Sequence, residues 1–249
     1  MCIENGLKTA EMNLVKETWN EKDIEKFRTF SKSLKEKDSK KGDWEQKIVG
    51  TKLECFGKTS EKAKMVAMKI RKGNFLSFVQ NLQIENFFDS LLVAHLISKI
   101  KDFSVFENQL NRFIPTIDNW ASCDVLNFKN RDKNKLLNLA QKYILNKKIF
   151  IRRVGIRIYF ELIRDEKYLD ECFKMLDGLA KEKEHYVNMC ASWLLCECFV
   201  KHREHALKYF ANNNTNSFVI NKAISKCRDS FRISVYDKQL LLEFKKLKD

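Results

Sequence analysis

KIFIRRVGIRIYFELIR (148–164) and HYVNMCASWLLCECFVKH (185–202) are the two stretches that decide the fold. At about 100° per residue, Ile149, Ile156, Phe160 and Ile163 share one side of the first, and Arg153, Arg157 and Arg164 line up beside them. That is an amphipathic helix, and three guanidinium groups in one row suit a phosphate clamp or a solvated face with intrahelical ion pairs. In the second stretch Val187, Cys190, Ala191, Leu194 and Cys198 form the main stripe, with Trp193 on another side beside Met189 and Cys196. A helix apolar nearly all round either sits deep in a core or lines a groove.

Working outward, the same i, i+3, i+4, i+7 spacing predicts helices over 61–72, 74–82, 85–100, 103–114, 117–128, 132–146, 167–180, 203–211, 217–228 and 235–247. Residues 11–36 read as one or two charged amphipathic helices, and KEKDSKKGDW (35–44) as a loop. CFGKTS (55–60) is a second turn, with Thr59 or Ser60 placed to cap the next helix. Paired helices recurring at this spacing predict an all-α, HEAT-like helical repeat solenoid with a concave face, a globular bundle being the alternative. The whole chain, 1–249, reads as one such domain, with 1–45 its more weakly patterned helical part.

Composition agrees. The chain has 249 residues, 44% of them hydrophobic, which excludes wholesale disorder. Seven glycines and one proline are too few for a sheet protein rich in turns. A formal net charge of +14 points to a polyanion, nucleic acid first and an anionic membrane surface second, or to a solubilising surface. The opening MCIENGLKTAEMN has no apolar signal-peptide core, and LLVAHLI near residue 94 is too short to span a bilayer, so a cytoplasmic location is expected. Eight cysteines without regular spacing fit reduced, mostly buried thiols.

The most informative chemistry lies in IDNWASCDVLNFK (117–129). Read as one helix, it puts Ile117, Ala121, Val125 and Phe128 on a stripe, Asp124 in the middle of it and Trp120 at its edge. A carboxylate among apolar residues is costly, so Asp124 is either the buried partner of an arginine or a catalytic group beside an aromatic wall. Lys222 and Lys226, four apart, with Arg228 and Arg232, make a basic C-terminal end suited to backbone contacts or to plain surface charge. Cys198, His202 and His205 share a helix face, but no fourth ligand accompanies them and Cys198 belongs to the core stripe, so no metal is expected. There is no Gly-rich phosphate loop, Ser/His/Asp pattern or CxxC pair, and no cofactor is called for.

IKDFSVFENQLNRFIPTIDNWASCD, FIRRVGIRIYFELI, YVNMCASWLLCECFVK and NKAISKCRDSFRIS, in that order, resemble the AlkD-type DNA alkylation repair glycosylases, which are HEAT-like repeat proteins. The resemblance runs from about residue 19 to 242. It implies that Trp120 and Asp124 are the active-site tryptophan and catalytic aspartate, Trp193 the second tryptophan and Arg153 an arginine of the cleft. The family often has an arginine three residues after that second tryptophan, where this chain has Cys196, and a proline soon after the loop glycine, where Thr59 follows Gly57. The implied activity is monofunctional excision of cationic N3- and N7-alkylpurines from double-stranded DNA by a monomer, without an enclosed base pocket. The alternatives are a non-catalytic DNA-binding member of the same fold and a protein–protein scaffold.

Overall fold

The computed structural model describes residues 12–247, so the leading MCIENGLKTAE lies outside it. Every regular element among these residues is a helix, as the composition requires. The chain divides between Asn127 and Phe128 into two compact units. No helix among the described residues is long and apolar enough to cross a membrane.

The first unit holds α1 (Glu21–Ser33), α2 (Ser39–Val49), α3 (Thr59–Ile70), α4 (Phe75–Asn81), α5 (Phe87–Ile97), α6 (Phe103–Phe113) and α7 (Trp120–Val125). Helix α5, FFDSLLVAHLI, is its axis. All its residues but His95 are buried, and α3, α4, α6 and α7 all pack on it. Its one buried carboxylate, Asp89, pairs with Arg28 of α1 and accepts from the Glu85 N–H at 3.1 Å. Trp19, Phe27 and Phe78 fill the space between α1 and α4, with ring centroids 4.8 Å apart for Trp19–Phe78 and Phe27–Phe78.

Seven of the fourteen α-helices among the described residues start where an Asn or Asp side chain accepts from the third backbone N–H. Asn20, Asn74, Asn86, Asp102 and Asn119 do so in this unit, and Asp132 and Asn216 in the next. Helix α3, like α9, α10, α11 and α12, has no such side-chain cap. Neither Thr59 nor Ser60 caps it. Instead Glu45 of α2 accepts from the Thr59 N–H at 2.9 Å and the Gly57 N–H at 3.1 Å, while the Thr59 hydroxyl accepts from Phe56. Gly57, at φ 73°, and Lys58, at φ 51°, make the left-handed turn this needs.

The expected loop at 35–44 is largely helical, since α2 begins at Ser39. Gly42 is not a turn residue. A Cβ there would stand 2.6 Å from the Cys55 carbonyl oxygen, so the glycine lets the 55–57 backbone close onto α2.

The second unit holds α8 (Lys133–Ile144), α9 (Ile149–Leu162), α10 (Leu169–Asp177), α11 (His185–Lys201), α12 (Arg203–Ala211), α13 (Ser217–Asp229) and α14 (Val235–Leu240). Helix α9 packs on α8 and α11, and α11 on α12 and α13. The α8–α9 approach depends on Gly155, where a Cβ would lie 2.8 Å from Ile144 Cγ1 and 3.1 Å from the Ala140 carbonyl oxygen. The main stripe read for α11 is buried throughout: Val187, Cys190, Ala191, Leu194 and Cys198 are each fully enclosed. The stripe read for α9 needs correction. Ile156 and Ile163 are buried, but Ile149 and Phe160 are half-exposed, and Ile151, Val154 and Ile158 complete the core side.

Candidate nucleic-acid interface

Helix α7 has six residues, too few to be helical on their own, so tertiary contacts hold it. Fully buried Asn119 caps it, accepting from the Ser122 N–H at 2.8 Å. The Ser122 hydroxyl meets the Ser90 hydroxyl of α5 at 2.8 Å, both fully buried, and Cys123 and Leu126 pack inward beside them. The inward side is therefore Ser122, Cys123 and Leu126, not the expected stripe. Ile117 and Phe128 are buried outside the helix, while Ala121 and Val125 are half-exposed. As a result Asp124 does not project into an apolar stripe. It is half-exposed and shares a helix face with half-exposed Trp120, one turn away.

The segment has a second carboxylate, and it is structurally committed. Asp118 accepts from the Thr51 hydroxyl at 2.6 Å, the Lys52 N–H at 2.8 Å and the Asn119 side-chain amide at 2.9 Å. It ties the turn after α2 to the start of α7. The sequence reading passed over this anchor and the Ser90–Ser122 contact. The Asn-x-x-Ser spacing of Asn119 and Ser122, an N-cap signature, was the available signal for the helix start.

In the second unit Trp193 is half-exposed on α11. Phe160 of α9 meets it edge-on at 4.7 Å. The Arg157 guanidinium lies over both rings, 4.4 Å from the Phe160 centroid and 4.8 Å from that of Trp193. A cation in that position is held by the ring quadrupoles. One turn along α11 from Trp193, Glu197 takes the Arg232 guanidinium at 3.0 Å. Burial pushes the Glu197 carboxyl up, but the bonds from Arg232 outweigh it and hold the group below its usual range.

The three arginines of α9 differ in environment. Arg153 is 5% exposed, and its Nη1 donates to the Tyr186 carbonyl at 2.6 Å. Arg157 is half-buried on the aromatic pair, and Arg164 is exposed, 3.8 Å from Glu161. On α13, Lys222 and Lys226 are half-exposed one turn apart, and Arg228 is exposed. Among the described residues no carboxylate lies within ion-pairing distance of Lys222, Lys226 or Arg228. The Cys198, His202, His205 set does not form a metal cluster among the described residues. Cys198 faces Cys172 with sulfurs 3.8 Å apart, a His202 ring nitrogen meets the Ile163 carbonyl at 2.7 Å, and His205 lies 3.5 Å from Glu166.

Residues 12–227 match the DNA alkylation repair enzyme family. The chain belongs to that family. No curated protein and no solved structure matches it. The family match spans α1 to α13, so the helices carrying Trp120, Asp124, Arg153, Arg157, Trp193, Lys222 and Lys226 all lie within it, and α14 lies beyond. In this DNA alkylation repair family member, Cys196 is 3% exposed and lies beside the buried Cys227 thiol. The two thiols act on each other, Cys196 being lowered and Cys227 raised from their ordinary values. The position therefore supplies no surface cation.

Proposed function

We propose that this protein is a monofunctional, monomeric DNA N-glycosylase that removes cationic N3- and N7-alkylated purines from double-stranded DNA. The observation that carries the reading is the half-exposed Asp124, one turn from Trp120 on a helix clamped from behind. Family membership supports the repair role. Within each unit, packing of α5 against α3 and α7, and of α11 against α9 and α13, supports a HEAT-like arrangement presenting these helices to DNA.

An alkyl group on N3 or N7 makes the purine cationic. When the C1′–N9 bond breaks, its electron pair goes to the base, which leaves neutral, so no general acid is needed. Positive charge develops on the deoxyribose, and Asp124 stabilises it electrostatically. A water held by Asp124 bonds to C1′ and gives up its proton through that carboxylate to solvent. One carboxylate thus suffices where ordinary glycosidases use two. Trp120 packs on the sugar, its π-face contributing about 0.5–2 kcal/mol towards a cation, and Trp193 is the second unit's tryptophan facing DNA. Arg157, Lys222, Lys226 and Arg228 contact backbone phosphates. Arg153, mostly enclosed and donating to the Tyr186 carbonyl, is the arginine of the cleft.

Asp124→Asn is expected to bind methylated duplex DNA normally while releasing 7-methylguanine about 10²–10⁴-fold more slowly. Release at the wild-type rate removes the assignment. The buried Cys196 favours one second reading, a family member that binds DNA without excising bases. Under that reading the wild-type protein binds the duplex and releases no base.

A further inference from the structure

Helices α3 and α5 meet in a cleft of about 330 Å³ that the site above does not use. Lys64, Met68, Arg71, Lys72, His95 and Lys99 line it, with Ala67 and Leu96 as apolar wall. Positions 64, 68, 71 and 72 fall on one face of α3 and its immediate extension. Among the described residues no carboxylate lies within ion-pairing distance of Lys64, Arg71, Lys72 or Lys99. Elsewhere in the unit Lys62 pairs with Glu36 at 2.7 Å and Lys16 with Asp23 at 2.7 Å. Four like charges gathered round one recess without a counter-charge repel one another, which an anionic ligand would relieve.

His95 stands in the wall of the cleft, close enough to sense a charge bound there. His95 Nε2 is out of reach of solvent and has no hydrogen-bond partner. Burial, with Lys64 and Lys99 adding, pushes the imidazole down to about 4, so it is neutral near pH 7 and offers one ring nitrogen as donor or acceptor. Met68, 60% exposed, leaves an apolar lip at the mouth. Several cations, a polar ring nitrogen and an apolar wall suit a tetrahedral oxyanion carried on an organic group.

We propose that the α3–α5 cleft binds a phosphate ester, with Lys64, Arg71, Lys72 and Lys99 around its oxygens and His95 in the wall behind them. The ester is either a backbone phosphate of duplex DNA or a free nucleotide. The proposal does not depend on base excision.

The test follows the His95 imidazole ¹⁵N resonances of the full chain. Thymidine 5′-monophosphate, inorganic phosphate and an undamaged 12-base-pair duplex are added to wild type and to Lys64→Gln/Lys99→Gln. Both lysines are exposed, so the variant is expected to keep the wild-type circular dichroism spectrum and melting midpoint. At least one probe is expected to move His95 saturably in wild type and to bind the variant about tenfold or more weakly. Saturation by duplex well below the nucleotide concentration assigns the ester to DNA. The slope of log affinity against log salt then falls by about 1–2 in the variant. Saturation by nucleotide, with an unchanged duplex slope, assigns it to a free ester. A His95 signal that no probe moves, or that moves equally in both proteins, overturns the site. Loss of base release with an intact His95 response would instead overturn only the glycosylase reading.

Discussion

Ser122→Ala tests how the candidate site is held. The Ser122 and Ser90 hydroxyls are both fully buried and 2.8 Å apart, so each is the other's side-chain partner across the α5–α7 contact. Removing one strands the other away from water, at a cost of about 1–3 kcal/mol, whereas removing both leaves a small apolar contact that is nearly neutral. For a chain of this size that corresponds to a single-variant loss of about 2–10 °C in melting temperature. The double variant Ser90→Ala/Ser122→Ala is expected to be more stable than either single variant. Urea unfolding followed by circular dichroism, with matching m-values, gives the four corners of the cycle. The single variant should also excise more slowly, because α7 carries Trp120 and Asp124. Additive losses, or a double variant weaker than both singles, would refute the claim that this contact clamps the helix.

Other outcomes follow from the packing and the charges. Gly155→Ala gains about 1 kcal/mol of helix propensity but drives a methyl group onto Ile144 and Ala140, so a net loss of about 1–2 kcal/mol is expected in urea unfolding; a more stable variant would contradict the tight α8–α9 approach. Asp237 accepts from Arg203, which holds its carboxyl below the usual range. With the folded value depressed, the pair's stabilisation is complete above the unfolded value of about 4 and is lost as pH falls through the lower folded value. Stability curves of wild type and Asp237→Asn should therefore converge towards low pH, and a gap that stays constant from neutral to strongly acidic pH rejects the linkage.

Long periodic helices were legible from sequence because one buried stripe fixes both their phase and their length. The stretch read over 185–202 coincides almost residue for residue with α11, and 203–211 with α12. Short elements were not legible in the same way. The apolar positions at 117 and 128 looked like a continuation of the α7 stripe, yet the backbone is extended at both Ile117 and Leu126, where no helical phase applies. Asn119 marked the true start. In α2 the charged residues and Gly42 imitated a loop, because the reason for that glycine is a backbone approach from Cys55, 13 positions away in sequence. Asp124 was found by its apolar surroundings, although the structure puts it on a half-exposed face. Trp193 was recognised as lying off the core stripe, but its Arg157–Phe160 support joins two helices and leaves no trace in either stretch alone.

All seven described cysteines are buried, and burial pushes Cys55 up to about 12. Thiolates are the side chains most readily attacked by electrophiles, and attack requires both ionisation and access. The reagents that alkylate purines also modify sulfur. By enclosing the thiols of its described cysteines among helices, this repair-family protein presents few thiolates to such reagents.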